Sequence, residues 1–477
     1  MNYHEYFARA TKSVEACIVG TGGFGRSFLA QSLRVPLMNV RIAVDVDSAT
    51  AAAALKSAGI EAVVECHTKE EVSQAWTNGL SIAAGDLTHV IHLPFDVLVE
   101  ATGHPEAGAR HAELAIKAGK HVALVSKEVD SVVGPGLALL AAEMGRVVTP
   151  VDGDQPSLLI GLVTWAEILG FEIICAGKSS EYDFVFDPAT ETLTSNGVSV
   201  AAPGFAEHLL LGERDVAGLV AARSRAASKL PQHAVPDLCE LTVTSHSVDL
   251  APDCPELHCP IARISEVPTF FTTRMDGGLL EGERRMDVFH CLRLPDEVSF
   301  AGGVFIVIRC ADAASWELLA GKGHVVSRSG STAMIYLPRH LLGLEAATSV
   351  LEAGLKGLSS GSRQPQPRFD LVAIADADLD AGTLLTAAGH HHAIENVSSA
   401  LVPASALEAE QPAPFYLIAN RRLVRPVTAG SAIRLADVAA DDSILLDLRR
   451  QQDAHFFAAA HVDVKQTDHK ATKFARL

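Results

Sequence analysis

The sequence lacks an excess of positive charge and any long apolar run. Its 57 acidic residues outnumber the 39 lysines and arginines, and the formal net charge is −18. This charge argues against nucleic acid or an anionic membrane surface as a main partner. No apolar run approaches the roughly 20 residues that cross a bilayer. Residues 1–14 are polar and lack the apolar core of a signal peptide, so we expect a cytoplasmic protein.

Cysteine is sparse as well. Eight cysteines are scattered over 477 residues, so free thiols are expected instead of a disulfide framework. Hydrophobic residues make up 48% of the chain and charged residues 20%, which suits a globular protein with large buried cores. At this length we expect two or three domains.

The most informative motif is the glycine-rich loop Gly20-Thr21-Gly22-Gly23-Phe24-Gly25. It lies between a β-prone run, Val14–Val19, and a predicted helix, Arg26–Leu33. Asp45 follows about twenty residues after the last glycine, which is the spacing of a Rossmann dinucleotide site. Gly20, Gly22, Gly23, Phe24 and Gly25 would receive the pyrophosphate at the helix N-terminus. The alternative is an ordinary glycine turn.

Asp45 also bears on the choice of cofactor. An acid at this position binds the free 2′-hydroxyl of NAD and repels the 2′-phosphate of NADP. We therefore expect NAD or NADP, with NAD favoured.

Residues 1–150 alternate strand-like and helix-like segments, which predicts an α/β fold with a doubly wound parallel sheet. Ligands bind outside the carboxyl ends of such strands. Thr102 and Gly103 directly follow the predicted strand Asp96–Glu100, so we expect them to contact the cofactor. The alternative is a plain strand-to-helix turn.

Changes in composition predict four segments. We expect a Rossmann domain over 1–150, an α+β catalytic and dimerisation domain over 151–358, a small β-rich module over 368–447 and a polar tail over 448–477. Segments 239–249, 286–292 and 298–309 look like strands of the second domain. In the small module, Ala377–Leu385 and Arg425–Ile433 share an apolar, Ala-Gly, apolar pattern and form an internal repeat.

Ser126–Asp130 is the first candidate for chemistry, at the end of a sheet strand. Lys127 can polarise a carbonyl or take a hydroxyl proton. Glu128 and Asp130 could orient that lysine, contact substrate or bind a metal. The alternative is a solvated charged turn followed by a helix over 134–145.

Asp152, Asp154 and Gln155 are the second candidate, since they stand at a domain junction where ligand clefts commonly form. Asp154 could instead, or in addition, cap a helix that starts at Pro156. Lys178 ends a long apolar stretch, where a lysine can have a lowered pKa, or it is a surface lysine. His340, in a Pro-Arg-His turn, could bind an anion or be structural.

Several further motifs complete the pattern: Glu100-Ala101-Thr102-Gly103, Gly134-Pro135, Gly153-Asp154-Gln155-Pro156, Pro338-x-His340 and the two Ala-Gly repeats. With these motifs the chain resembles the homoserine-dehydrogenase-like oxidoreductases that carry a C-terminal SAF-type module. Within that group it is most similar to the 1-deoxy-D-xylulose 5-phosphate reductoisomerase-like proteins. The resemblance runs from Val14 to about Arg449.

This resemblance implies an NAD(P)-binding domain, a middle catalytic and dimerisation domain, a terminal SAF module and a divalent metal. It places Asp154 and Lys178 at the substrate, with Glu128 and Asp130 nearby. Lys127 is instead similar to the lysine that ends the corresponding strand of homoserine dehydrogenases.

We therefore expect an NAD(P)-dependent oxidoreductase that moves a hydride to or from a small polar hydroxy or keto substrate. Lys127, Asp154 and Lys178 are the expected catalytic residues. A reductoisomerase-like activity is the narrower expectation. The alternatives are homoserine dehydrogenase and a non-catalytic nucleotide-sensing or carbohydrate-binding protein.

Overall fold

The computed structural model describes residues 2–388, 392–439 and 442–458, and its first sheet is entirely parallel. The strands are β1 (Val14–Val19), β2 (Met38–Val44), β3 (Val63–Cys66), β4 (Ser81–Ala84), β5 (Val97–Glu100), β6 (His121–Leu124) and β7 (Val148–Pro150). The helices are α1 (Tyr3–Phe7), α2 (Gly23–Ser32), α3 (Ser48–Ser57), α4 (Lys69–Thr77), α5 (Leu87–Val90), α6 (Pro105–Lys117) and α7 (Lys127–Glu143). The predicted α/β class is confirmed.

The strand order of this sheet locates its ligand crevice. The order is β3-β4-β2-β1-β5-β6-β7, so the chain runs outward in opposite directions from the β1–β5 pair. The loops after β1 and β5 therefore diverge and leave a crevice at the carboxyl edge, as at the switch point of doubly wound sheets. Gly20 and Thr102 belong to these two loops.

Helix α7 begins earlier than the helix expected over 134–145 and excludes the alternative of a charged turn at Ser126–Asp130. The helix begins at Lys127 and continues to Glu143 with Pro135 in its interior. An interior proline costs about 3 kcal/mol. Burial of apolar side chains such as Val129 and Val133 offsets that cost. Lys127 and Glu128 consequently stand in the first helical turn.

The second sheet is mixed and follows the helix α8 (Gln155–Ile168). Its strands are β8 (Ile173–Ser179), β9 (Phe184–Asp187), β10 (Thr192–Ser195), β11 (Val198–Ala201), β12 (Ala251–Pro252), β13 (Ile261–Ala262), β14 (Arg285–Arg293), β15 (Val304–Arg309) and β16 (Thr332–Leu337). The accompanying helices are α9 (Val216–Ala226), α10 (Val235–Ser247), α11 (Val267–Phe270) and α12 (Ala313–Gly321).

Helix α10 corrects the strand expected over 239–249. Nearly all of its residues are buried, from Val235 to His246. A helix buried on every side shows no polar face, so the 3.6-residue pattern that would identify it is missing. It contacts α7, α8 and the strand Phe369–Ala375.

The third sheet is antiparallel and belongs to the small module. Its strands are β17 (Phe369–Ala375), β18 (Ala387–Ala388), β19 (Ala393–Ile394) and β20 (Val397–Pro403). The last helices are α13 (Ala347–Leu351), α14 (Phe415–Ile418) and α15 (Ile444–Phe456). The two sequence repeats pair with each other, since Leu379 and Val427 exchange backbone hydrogen bonds of 2.8 and 2.9 Å. Gly382 and Gly430 take positive φ at equivalent turns.

Two segments pack against elements outside the domains in which the sequence places them. Residues 346–353, which we expected in the middle domain, join the core beneath β1 through Ala346, Val350 and Ala353. The expected polar tail over 448–477 is helical at its start, because α15 extends to Phe456 and packs on α6 and α7. Residues 459–477 lie outside the described part. None of the described helices has the length and apolar character that a bilayer crossing requires.

The buried Arg449 predicts how strongly α15 is tied to the third sheet. Its guanidinium donates to both oxygens of Asp370 at 2.6 and 2.8 Å and to Asp453 at 2.7 Å. Removing one member of a buried ion pair costs about 3–5 kcal/mol. Arg449→Met should therefore lower the urea midpoint markedly. Arg450→Met is the matched control, because that neighbouring side chain is exposed and should change little. Equal effects of the two substitutions would contradict this role.

Candidate active site

The glycine-rich loop turns tightly between β1 and α2. Gly20 has a φ of +90°, and a Cβ atom there would lie 2.5 Å from the carbonyl oxygen of Ala101. A Cβ at Gly25 would lie 2.2 Å from the carbonyl oxygen of Gly20. Gly22 and Gly23 border open space, and α2 begins at Gly23 without a side-chain cap. The free N–H groups of this helix can therefore receive phosphate oxygens.

Asp45 lies beside this loop at the end of β2. Its carboxylate accepts a hydrogen bond from the backbone N–H of Thr21 at 2.7 Å and from that of Val46 at 2.7 Å. These bonds hold the acid against the first turn of the loop. This is the position from which an acid can reach the ribose of a dinucleotide.

Thr102 and Gly103 form the opposite wall of the crevice. The Thr102 hydroxyl donates to the fully buried Glu100 at 2.6 Å, and the Gly103 N–H donates to the Ser126 hydroxyl at 2.8 Å. Glu100 and Ser126 thereby fix this turn to the ends of β5 and β6. Gly103 has a φ of +64°, which favours glycine.

A cavity of about 280 Å³, here called the cofactor cavity, opens at this edge. It extends from the glycine-rich loop towards the second sheet and α10. Its lining includes Gly22, Gly23, Phe24, Thr102, Gly103, Lys127, Glu128, Asp154, Glu181, Pro236, His340 and His392. The lining thus contains five of the predicted cofactor residues and four of the predicted catalytic or substrate residues, namely Lys127, Glu128, Asp154 and His340.

Behind this cavity lies a group of four side chains, here called the lysine–carboxylate cluster: Lys127, Lys178, Asp237 and Glu240. Glu240 accepts hydrogen bonds from both lysines. Lys178 Nζ also lies 2.7 Å from Asp237 Oδ1, and the other Asp237 oxygen accepts from the Ser180 hydroxyl at 2.7 Å. Two positive and two negative charges balance one another within a buried volume.

This pairing determines the protonation of the lysines. Burial lowers the pKa of Lys178, but Asp237 and Glu240 outweigh it and raise that pKa. Burial likewise opposes protonation of Lys127, whereas Glu240 and Asp154 raise its pKa well above the usual value. The expectation of a lowered pKa at Lys178 is therefore wrong, because the apolar strand places it against two carboxylates.

Lys127 and Lys178 differ in access. Lys127 lines the cofactor cavity and keeps 17% of its side chain exposed, whereas Lys178 is fully buried in β8 and lies outside the cavity lining. Only Lys127 can touch a substrate in this arrangement. Lys178 contacts the same Glu240 carboxyl group from behind and so positions Lys127.

Asp154 faces the cavity at the start of α8. It caps this helix by accepting from the Gln155 N–H at 3.0 Å, as the capping alternative predicted. Burial raises its pKa, although Lys127 acts in the opposite direction. With its amide nitrogen turned to the carboxylates, Gln155 donates to Asp154 at 3.2 Å and its oxygen accepts from Lys178 at 3.3 Å. Gly153 permits the turn, since a Cβ there would lie 1.9 Å from the carbonyl oxygen of Leu342.

Two predicted acids lie away from the cavity lining. Asp130 is one turn further along α7, where its carboxyl group fills the space left by Gly134. Asp152 accepts from the Ser157 and Thr348 hydroxyls, each at 2.5 Å, and so ties α8 to α13. Among the described residues, no group of three His, Cys, Asp or Glu side chains is arranged to hold a metal ion.

Sequence reasoning missed Asp237 and Glu240. Both stand on α10, three residues apart and hence on one face of the helix. The available signal was two acids within an otherwise apolar segment that starts with Val235-Pro236. Charged side chains enter such a segment only when they are paired. The mistaken strand over 239–249 concealed their common face.

Comparison with protein families gives one match. Residues 234–346 match the catalytic domain of oxidoreductase DRL. This range contains Asp237, Glu240 and His340. A model of an oxidoreductase catalytic domain thus matches the part of the chain that supplies these three residues. No curated protein sequence matches the chain.

Solved structures that are similar to this chain are distant. Biliverdin reductase from Synechocystis sp. PCC 6803, with biliverdin and NADP+, has 17% identity and a TM-score of 0.30, over 72% of this chain and 91% of that one. GenD2 from gentamicin A biosynthesis, with NAD, has 13% identity and a TM-score of 0.34, over 73% and 88%.

Other matches cover less of the solved chains. DOX-P reductoisomerase, with fosmidomycin and magnesium, has 16% identity and a TM-score of 0.28, over 48% of this chain and 57% of that one. For an NAD-binding protein from Listeria innocua the identity is 16%, the TM-score is 0.25 and the coverage is 37% and 47%. The chain thus spans about half the length of these two proteins. At such identities and TM-scores the matches carry no argument about activity.

The buried Asp130 predicts a pH dependence of stability. Burial raises its pKa from 3.8 to about 7, so the folded state binds more protons than the unfolded state between these values. Asp130 therefore contributes stability below its unfolded-state pKa of 3.8, and this contribution is lost as the pH rises through about 7. Asp130→Asn removes the titration. The variant should gain stability relative to the wild type as the pH rises from about 4 to about 8, in urea titrations at each pH.

Asp447→Asn is the matched control, since the Asp447 side chain is exposed. Its stability difference from the wild type should be constant over the same range. An Asp130→Asn difference that is equally constant would contradict the raised pKa.

Proposed function

We propose that the chain is an NAD(P)-dependent oxidoreductase that transfers a hydride to or from a small polar hydroxy or keto compound. One observation carries this proposal above the others. The protonated Lys127, fixed by Glu240, borders the same cavity as the glycine-rich loop. Nucleotide-binding and carbonyl-activating groups thus face one space.

The residues of the loop fit a nicotinamide dinucleotide. Gly22, Gly23 and the N-terminus of α2 would hold its pyrophosphate, and Asp45 would accept from a ribose hydroxyl. When bound, this cofactor supplies the hydride. Thr102 and Gly103 form the wall opposite the loop and would limit the position of the dinucleotide in the crevice.

Lys127 is the proposed catalytic acid. Because Glu240 and Asp154 keep it protonated, its ammonium group can stabilise the negative charge that develops on a carbonyl oxygen during reduction and can donate a proton to it. In the reverse direction only the neutral form of this amine could receive the proton of a hydroxyl, so the pairing with Glu240 and Asp154 favours reduction. The lysine–carboxylate cluster supports this role, since it holds Lys127 at the cavity wall.

Asp154, Glu128 and His340 are proposed to surround the substrate. Burial raises the pKa of Glu128 to about 7, and it raises that of Asp154 as well. Glu128 can therefore exchange a proton near neutral pH. His340 lies in the same lining. Gln155 would orient Asp154, and Lys178 and Asp237 would act through Glu240 as positioning residues. No step is assigned to a metal.

Narrower features remain part of the proposal. We propose a SAF-type module over 368–447, a homodimer and a cytoplasmic location. The pairing of the two repeats supports an internally symmetric module. The reductoisomerase-like reaction on 1-deoxyxylulose 5-phosphate and the oxidation of homoserine are the two specific reactions to test.

A substrate panel tests the proposed function. It contains 1-deoxyxylulose 5-phosphate, homoserine, sugar acids and uncharged sugars, each with NAD(H) and with NADP(H), and the absorbance of the reduced nicotinamide is followed. Turnover of any member is the expected result. Cofactor binding without any turnover would favour a nucleotide-sensing protein, and no cofactor binding would refute the proposal.

The position of Asp45 beside the glycine-rich loop predicts a preference for NAD over NADP. Asp45→Ser removes the carboxylate that repels a 2′-phosphate, so the ratio of NADP to NAD affinity should rise by about tenfold or more in fluorescence titrations. Asp47→Ser is the matched control, because it removes a nearby exposed acid while serine can still cap α3. Equal ratios in the wild type and Asp45→Ser would contradict the assignment.

The role proposed for Lys127 predicts that its replacement slows the chemical step. Lys127→Met should lower kcat by about a hundredfold or more, since an acid catalyst and a positive charge are lost together. The affinity for the nicotinamide dinucleotide should change little. Lys117→Met is the matched control, since that lysine is exposed on α6. Near-normal kcat in Lys127→Met would refute the catalytic assignment.

A further inference from the structure

A second cavity, larger than the cofactor cavity, adjoins the lysine–carboxylate cluster. Its volume is about 470 Å³, and it shares Glu181 and Pro236 with the cofactor cavity. Asp237 belongs to its wall and to the cluster. A molecule in this cavity can therefore extend to the point where Lys127 acts.

The C-terminal module supplies one wall of this second cavity. Asp376, at the end of β17, and Ser398 and Ser399, on β20, border it, and the Ser398 hydroxyl donates to Asp376 at 2.6 Å. The opposite wall comes from the second sheet and the start of α10. The cavity exists only because the module covers this part of the catalytic domain.

The charged side chains that line the second cavity are predominantly acidic. Among the described residues that line the second cavity, four are carboxylates (Glu181, Asp237, Glu256 and Asp376) and none is lysine or arginine. Burial lowers the pKa of His233 and of His290, so these histidines add little positive charge near neutral pH. Asp237 is paired with Lys178, so a phosphate or carboxylate group here would meet three further carboxylates, Glu181, Glu256 and Asp376, with no lysine or arginine among the described lining residues.

The other polar side chains of the second cavity can form hydrogen bonds with hydroxyl groups of a ligand. Ser180, Ser195, Ser399 and Asn196 offer both donors and acceptors, and the carboxylates accept from hydroxyl donors. Between them lie apolar surfaces such as Val235 and Val397, which can cover C–H faces. A mixed lining of this kind binds ligands that alternate hydroxyl and C–H groups.

We propose that the second cavity binds a polyhydroxylated, sugar-like part of the substrate that carries no anionic group, with the C-terminal module as its recognition wall. This inference rests on the proposed oxidoreductase function and departs from the phosphorylated substrate that the sequence resemblance implies. Lys127 gives no compensation for an anion in the second cavity, because it lines the cofactor cavity and does not line the second one.

Matched ligand pairs test the proposal. The probes are 1-deoxy-D-xylulose and erythritol, each beside its phosphate monoester, and binding to the full chain with NAD present is measured by saturation-transfer NMR and calorimetry. At least one uncharged probe should bind about tenfold more tightly than its phosphate ester. Tighter binding of the phosphate esters, or no binding of either uncharged probe at millimolar concentration, would overturn the proposal.

Variants of Ser399 locate the binding. Ser399→Trp fills the cavity from the module side and should weaken binding of the uncharged probe by about tenfold or more. Ser399→Arg supplies a cation and should shift preference towards the phosphate ester. Val424→Trp is the matched control, since Val424 is exposed on the same module and borders neither cavity.

Cofactor titration separates the possible failures. The affinity for NAD should be the same in the wild type and in all three variants, because these residues lie outside the cofactor cavity. If NAD does not bind the wild type, the proposed function fails, whatever the sugars do. If NAD binds and Ser399→Trp leaves probe binding unchanged, only the second-cavity proposal fails.

Discussion

The arrangement of the whole site depends on one electrostatic constraint, the mutual neutralisation of Lys127, Lys178, Asp237 and Glu240. Buried charges are tolerated only when they are paired. The four side chains come from α7, β8 and α10, so their pairing joins the Rossmann domain, the second sheet and helix α10. A loss of one charge would leave its partner uncompensated within the cluster.

The same constraint connects structure with chemistry. Glu240 receives both lysines, yet only Lys127 reaches the cofactor cavity. The cluster can therefore hold the protonated Lys127 at the wall of the cofactor cavity while its counter-ion, Glu240, stays buried. Lys178 and Asp237 extend the cluster towards the second cavity, which the C-terminal module closes. Residues from the three sheets' surroundings thus line two adjoining cavities, which share Glu181 and Pro236.

The sequence predicted the parts of the fold that follow from local rules. The glycine-rich loop, its flanking strand and helix, and Asp45 were recognisable because tight turns and phosphate binding require particular residues at fixed spacing. The cap at Asp154 was predicted for the same reason. The start of helix α7 at Lys127 was not predicted, because Pro135 usually ends or begins a helix and burial of the apolar side chains overrides that preference here. Helix α10 was not predicted either, because a helix that is buried on every side lacks the periodic pattern of apolar and polar residues. Asp237 and Glu240 escaped notice, since their significance depends on long-range contacts with both lysines.

The most direct test of this account is single-turnover hydride transfer by Glu240→Gln, measured with NAD and the substrate that the panel identifies. The substitution preserves the size of the side chain and removes the charge that both lysines share. The account predicts nearly unchanged NAD affinity and a hydride-transfer rate reduced by about a hundredfold or more. A rate within about threefold of the wild type, with NAD affinity retained, would contradict the central role of the cluster.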